Sequence, residues 1–209
     1  MFDGLKKKLK LSKLKDKKFE FLFDDNIPNN EYIVLDTETT GLDPKKDEIL
    51  SIGAVKIKNN KILTSESFEI FIKPTRTISK ESIKIHHLRE IDLQNGVSHK
   101  EAIEQLLYFI GNKKIIGYYI SFDIRILNRY IKEFIGTTLT NESIELSSMY
   151  YKRYKKTSAY DFVDLKFDII LKKLNIPQLG QHDALNDAIM SAMIFLKLKD
   201  MPLYKGAYS

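Results

Sequence analysis

From residue 31 onward, apolar and polar positions repeat with two different periods. Residues 32–36, 49–58 and 62–72 are short runs rich in β-branched and aromatic side chains, and Asn59-Asn60-Lys61 between the last two is a hairpin signal. Residues 98–110 switch to helical spacing, with Ala102, Ile103, Leu106, Leu107 and Ile110 on one face, Ser98 as N-cap and Gly111 as the stop. Further along, the pattern predicts a short buried strand at 114–117, a helix at 122–134 ending near Gly136 and a strand at 144–149. A helix at 160–174 before Pro177 and a final helix at 183–198 complete the chain. Three adjacent strands followed by strands alternating with helices predict an α/β fold. Its centre is a mixed five-stranded sheet flanked by helices, antiparallel at first and then parallel. Ligands on such sheets sit beyond the carboxyl ends of the parallel strands.

The first 28 residues have a different texture. Leu5, Leu9, Leu11 and Leu14 are scattered among lysines, Phe19, Phe21, Leu22 and Phe23 follow, and Pro28 closes the segment. The expected organisation is a basic arm (1–28), one domain (29–200) and a short tail (201–209). The arm begins with a short basic helix. It admits two readings: a solvated arm whose Phe residues pack onto the domain, or a contact with nucleic acid or a membrane surface.

Composition narrows the function less than it first suggests. With 43% hydrophobic and 30% charged residues, the chain is globular rather than disordered. It has no apolar run of membrane-spanning length, and its Lys-rich start lacks the apolar core of a signal peptide, so a cytoplasmic location is the default expectation. The absence of Cys excludes disulfides and thiolate metal sites. The net charge of +6 invites a nucleic-acid reading, but eight Lys against two Asp within residues 1–18 account for all of it. The body is neutral overall, so its chemistry has to be read from particular residues.

Three segments carry that chemistry. In Asp36-Thr37-Glu38-Thr39-Thr40-Gly41, side chains two apart share a face of an extended strand, so Asp36 and Glu38 present two carboxylates together. Such a pair repels unless a cation or proton lies between, and hard oxygen donors suit Mg²⁺ or Mn²⁺; the plain alternative is two solvated acids at a strand end. In Gly117-Tyr118-Tyr119-Ile120-Ser121-Phe122-Asp123, the acid falls in or near the first turn of a helix, where the macrodipole alone would favour it. In His182-Asp183-Ala184-Leu185-Asn186-Asp187, His182 precedes the final helix and Asp187 lies on its second turn; alternatively Asp183 is an N-cap and His182 a surface residue. Together, acids at separate strand ends and helix starts are what a two-metal phosphoryl-transfer centre needs, with ions roughly 3.5–4 Å apart. A nearby imidazole can take the proton from an attacking water. The stretch Tyr150-Tyr151-Lys152-Arg153-Tyr154-Lys155-Lys156 alternates rings and cations, and reads either as a solvated loop or as a border of the entry groove.

The order Asp-x-Glu, then Phe-Asp after a strand, then His-x-Ala-x-x-Asp, resembles the DEDDh 3′→5′ exonucleases, the family that includes the proofreading epsilon subunit of bacterial DNA polymerase III, ribonuclease T and oligoribonuclease. The resemblance spans roughly residues 31–198. It implies a ribonuclease H-like fold, two divalent cations (Mg²⁺ or Mn²⁺) and release of nucleoside 5′-monophosphates from a 3′ end, single-stranded DNA being favoured over RNA; the alternatives are an RNA exonuclease resembling oligoribonuclease or ribonuclease T, and a nucleic-acid-binding module that keeps the fold without catalysis. By this resemblance Asp36, Glu38 and Asp187 are metal ligands, Asp123 is the fourth acid and serves the second metal, and His182 is the general base. Thr39, Thr40, Gly41 and Leu42 match the turn that cradles the terminal nucleotide, with Leu42 against the last base. Glu81 and His86 match a segment that contacts the 3′ end; His86 fits that pattern better than His87. The chain departs from the family at Tyr118 and Tyr119, where the pattern commonly reads His-Asn after the Gly. Because the replicative epsilon subunit has a longer C-terminal tail than the residues after 198 supply, a stand-alone or repair-type nuclease is expected, with a DNA polymerase or repair complex as possible partner. The arm is expected to aid nucleic-acid capture.

Overall fold

The computed structural model describes residues 2–155, 162–180 and 182–203. Alternating burial along Glu31–Thr39 makes β1 the spine of the molecule: Ile33 and Leu35 enter one apolar layer, Val34 the opposite one. β2 (Ile49–Lys58) and β3 (Lys61–Phe71) pair antiparallel with it in sequence, joined by Asn59 and Asn60, both at positive φ. β4 (Lys114–Gly117) and β5 (Ser143–Glu145) then add parallel on the other side of β1. The strand order is β3-β2-β1-β4-β5, the mixed five-stranded sheet expected.

Helices cover both faces. On one, α3 (His99–Ile110) and α4 (Ser121–Ile135) bury Leu106, Leu107, Ile126 and Leu127 against Ile33 and Leu35. On the other, α7 (Ala184–Lys199) lays Met190, Ile194 and Phe195 over Val34, Val55 and Ile57. Each fully buried side chain of this kind contributes about 1.5–3 kcal/mol, so the two layers fix where the strand ends lie. Ser98 caps α3 by accepting from Glu101 N, and Gly111 ends it, both as the sequence indicates.

The N-terminal arm folds onto the first layer. Its helix α1 (Phe2–Leu11) leads into a 3₁₀ segment, Lys17–Phe23, that buries Phe19, Leu22 and Phe23. The Phe19 ring meets those of Phe21, Tyr108 and Phe134. Lys7 pairs with Asp25 within the arm, while Lys18 pairs with Glu104 and Lys15 donates to the Glu133 carbonyl, so part of the arm's charge is turned toward the body.

Several elements differ from expectation. Residues 144–149 are not one strand: β5 stops at Glu145, whose carboxylate accepts from Ser147 N and starts α5 (Leu146–Tyr154). The helix expected over 160–174 is reduced to α6 (Phe167–Lys173). Lys166 is extended (ψ 140°) and serves as the N-cap, so α6 begins only after it; 156–161 lie outside the described residues. Asp187 is on the first turn of α7, not the second, because Asp183 is the N-cap. The seven-residue α2 (Lys80–His86), capped by Ser79, is too short for periodicity to reveal. No helix among the described residues is long and apolar enough to cross a membrane.

Candidate active site

The site grows out of the two-faced end of β1. Alternation sends Asp36 and Glu38 toward the α7 layer and Thr37 toward the α4 layer. On the α4 side, Thr37 Oγ1 donates to Asp123 Oδ1 at 2.6 Å, and Asp123 sits buried in the first turn of α4. On the α7 side, the approach depends on Gly53, the β2 partner of Asp36: a Cβ there would collide with the backbone of Ala184 and Leu185. Without a side chain at 53, the start of α7 lies directly on the sheet and brings Asp187 to Glu38. Glu38, His182 and Asp187 each offer a ligand atom within 4.8 Å of the others.

The electrostatics of these acids are unusual. Burial, and then the neighbouring carboxylates, push Asp36 well above the usual carboxylate range. The same causes, burial first and then Asp187 and Asp123, raise Glu38 to about 8. Burial raises Asp123 to about 7 against the opposing Thr37 hydrogen bond, and Asp187 to about 6 against the hydrogen bond from His182 N. That amide donates to Asp187 Oδ2 at 3.0 Å, whereas Asp187 Oδ1 is buried with no partner. Clustered hard oxygen donors, mutually repelling and with one buried lone oxygen, fit divalent cations of the Mg²⁺ or Mn²⁺ kind.

Every site residue named from the sequence lines one cleft of about 810 Å³: Asp36, Glu38, Asp123, His182 and Asp187, and with them Thr39, Thr40, Gly41, Leu42, Glu81 and His86. The Thr39–Leu42 turn is tightly built. Thr39 Oγ1 donates to the Gly41 carbonyl at 2.7 Å, Thr40 Oγ1 to Asp47 Oδ1 at 3.0 Å, and a Cβ on Gly41 would meet that Asp47 carboxylate at 2.7 Å. Leu42 is left 88% exposed at the lip. His86 is buried: its Nδ1 accepts from Leu88 N, which leaves Nε2 to donate to Ser82 Oγ, and that hydroxyl donates to the Thr39 carbonyl. His87 instead caps α2 in a left-handed conformation and is exposed.

Some contributors escape a sequence reading. Arg129 on α4 donates to the Pro44 and Asp47 carbonyls and so ties down the loop behind the turn; nothing local marks it. Thr37 and Gly53 were within reach, one as the residue between two acids, the other as a lone Gly inside a strand. The described part of the 150–156 stretch is not a solvated loop. Residues 150–154 belong to helix α5, with Tyr150 buried and Arg153 bonded to the Met149 and Leu198 carbonyls, and none of residues 150–155 lines the cleft.

Comparison with known proteins agrees with this architecture. A family model described as Exonuclease (RNase_T) matches residues 33–195. The PolC-type DNA polymerase III of Thermotoga petrophila is 34% identical over 179 residues, covering 86% of this chain but only 12% of that protein. The DNA polymerase III subunit epsilon of Rickettsia conorii is 30% identical over 169 residues, 79% of this chain and 72% of the relative. Among solved structures, E. coli exonuclease I in complex with a dA16 oligonucleotide superposes with a TM-score of 0.69 at 14% identity, over 83% of this chain and 41% of that one. Cell-death related nuclease 4 does so with a TM-score of 0.70 at 18% identity, over 86% and 67%. The fold is ribonuclease H-like, and the chain belongs to the RNase_T exonuclease family.

Proposed function

We propose that this chain is a metal-dependent 3′→5′ exonuclease that releases nucleoside 5′-monophosphates from single-stranded DNA. The observation that carries the reading is the convergence of four carboxylates and one imidazole at the floor of a single cleft. Asp36, Glu38 and Asp187, with Asp123 on the α4 side, would hold two divalent cations; when bound, these supply charge stabilisation to the phosphoryl oxygens and a more acidic water. The rest is done by the chain. Its carboxylate floor repels a bare phosphodiester, so substrate enters only once that charge is offset. The exposed His182, anchored through its own amide to Asp187, accepts the proton of the attacking water. The Thr39–Leu42 turn seats the terminal nucleotide, Leu42 lying against its base, while Glu81 and His86 frame the 3′ end from α2. DNA is favoured over RNA because the similar sequences are named DNA polymerase III epsilon subunits and PolC-type polymerases, and a DNA polymerase is the proposed partner.

The test uses 5′- and 3′-labelled single-stranded DNA and RNA oligonucleotides with Mg²⁺, Mn²⁺ or chelator. The expected result is a descending ladder from the 5′-labelled DNA and immediate mononucleotide release from the 3′-labelled DNA. Both are abolished by chelator and reduced about 10³-fold or more by Asp36→Ala. Cleavage that survives chelator and Asp36→Ala would overturn the mechanism, and RNA cleaved faster than DNA would overturn the substrate.

A further inference from the structure

Part of the cleft lining is aromatic, formed by Tyr118, Tyr119, Phe122 and Phe167. Sheet order sets this arrangement: α2 and the turn gather at the β1 end, whereas Tyr118 and Tyr119 leave the end of β4, next to β5. Tyr118 is a structural ring. Its hydroxyl donates to the Leu165 carbonyl at 2.6 Å, and its ring lies 4.9 Å from Phe167. Tyr119 is different. It adopts φ +53°, a left-handed conformation that costs a bulky residue on the order of 1–3 kcal/mol and that Gly, Asn or Asp fills more easily. Its amide is held by Glu145 Oε1 at 2.8 Å, and the residue lines the cleft while 52% exposed, its ring centroid 4.5 Å from that of Tyr118 and tilted by 58° to it.

Resting on the exonuclease reading above, we infer that Tyr119 is a stacking platform for a base of the single strand upstream of the terminal nucleotide. A half-exposed ring in contact with a second ring, in the same cleft as the exposed Arg125, is the combination by which single strands are held without sequence preference. Tyr119 thereby sets strand length preference and hold on the substrate, while the carboxylates do the chemistry.

The experiment compares wild type, Tyr119→Asn and Tyr119→Phe on an oligothymidylate of about 20 nucleotides and on the p-nitrophenyl ester of thymidine 5′-monophosphate, which has no upstream base. Tyr119→Asn relieves the backbone, so its Tm is expected to equal or exceed that of wild type. Its KM for the oligonucleotide is expected to rise about 5- to 100-fold, with a loss on the ester at least fivefold smaller. Tyr119→Phe keeps the ring and is expected to stay within about twofold of wild type on both. Equal losses on both substrates, or an Asn variant matching wild type on the oligonucleotide, overturn the platform while leaving the exonuclease reading intact. A wild type that cleaves neither substrate overturns that reading and the platform with it.

Discussion

Glu38 shows how much of the site's behaviour follows from one residue's surroundings. It is buried beside Asp187 and Asp123 and raised to about 8. A carboxyl whose folded-state value lies above its unfolded one binds extra protons on folding, so its stabilising contribution is present at low pH and is lost as pH rises through the folded value. With Asp187 near 6, Asp123 near 7 and Glu38 near 8, that loss begins just above the ordinary carboxylate range and is complete once pH passes about 8. The metal-free protein is expected to melt higher at pH 5.5 than at pH 8.5, and Mn²⁺ to stabilise it more at the higher pH. Glu38→Gln is expected to raise the metal-free Tm at pH 8.5 by roughly 2–4 °C, about 1 kcal/mol, with little gain at pH 5.5. The same variant is expected to lower cleavage about 10³-fold, because the neutral amide is a poor ligand. Thermal melts at the two pH values with and without Mn²⁺ check this; a metal-free Tm that rises with pH would contradict it. At this scale the sequence is most informative. Asp36 and Glu38 share a face by alternation alone, but the residues that make them a site act across the fold: Thr37 on Asp123, Gly53 beneath α7, Arg129 behind the turn.

Among elements, the seating of α7 on β2 matters most. The helix carries Asp187 and follows His182, and it touches the sheet backbone-to-backbone at Gly53. Gly53→Ala forces the helix to lift, which is expected to destabilise the protein by about 1–3 kcal/mol and reduce kcat about 10²-fold, since a shift on the order of 1 Å misplaces the catalytic groups. Gly4→Ala, in open space on α1, is the control and is expected to be neutral or slightly stabilising. Urea melts and single-turnover rates separate the two effects; a Gly53→Ala protein with native kcat would show that the contact does not position the site. Elements with strong local signals are legible in the sequence alone: the β2–β3 hairpin, α3 between Ser98 and Gly111, the final helix. Those set by distant partners are not. Glu145 turns a strand into a helix after three residues, and the Leu165 carbonyl just before α6 is held by the distant Tyr118 hydroxyl.

For the molecule as a whole, the basic arm is the part whose meaning shifts most. Its lysines supply all of the net charge, yet Lys7, Lys15 and Lys18 are engaged with Asp25, Glu133 and Glu104, while Lys8, Lys13 and Lys17 face outward. Phe19 is fully buried among rings from α3 and α4, the helix that bears Asp123. The arm thus closes the core behind the site. Phe19→Ala is expected to cost about 3–5 kcal/mol in a denaturant melt, and a loss below about 1 kcal/mol would return the segment to the status of an appendage.

β1 finally ties folding to chemistry. Its odd positions fill an Ile-rich layer, and its even positions end in two acids. A slip of one residue against β2 would exchange those roles, driving Asp36 and Glu38 into hydrocarbon and turning Ile33 and Leu35 out of theirs. A misregistered chain would therefore lose its core and its catalyst together. The fraction of a preparation that cleaves is then a direct count of the molecules whose central strand found its place.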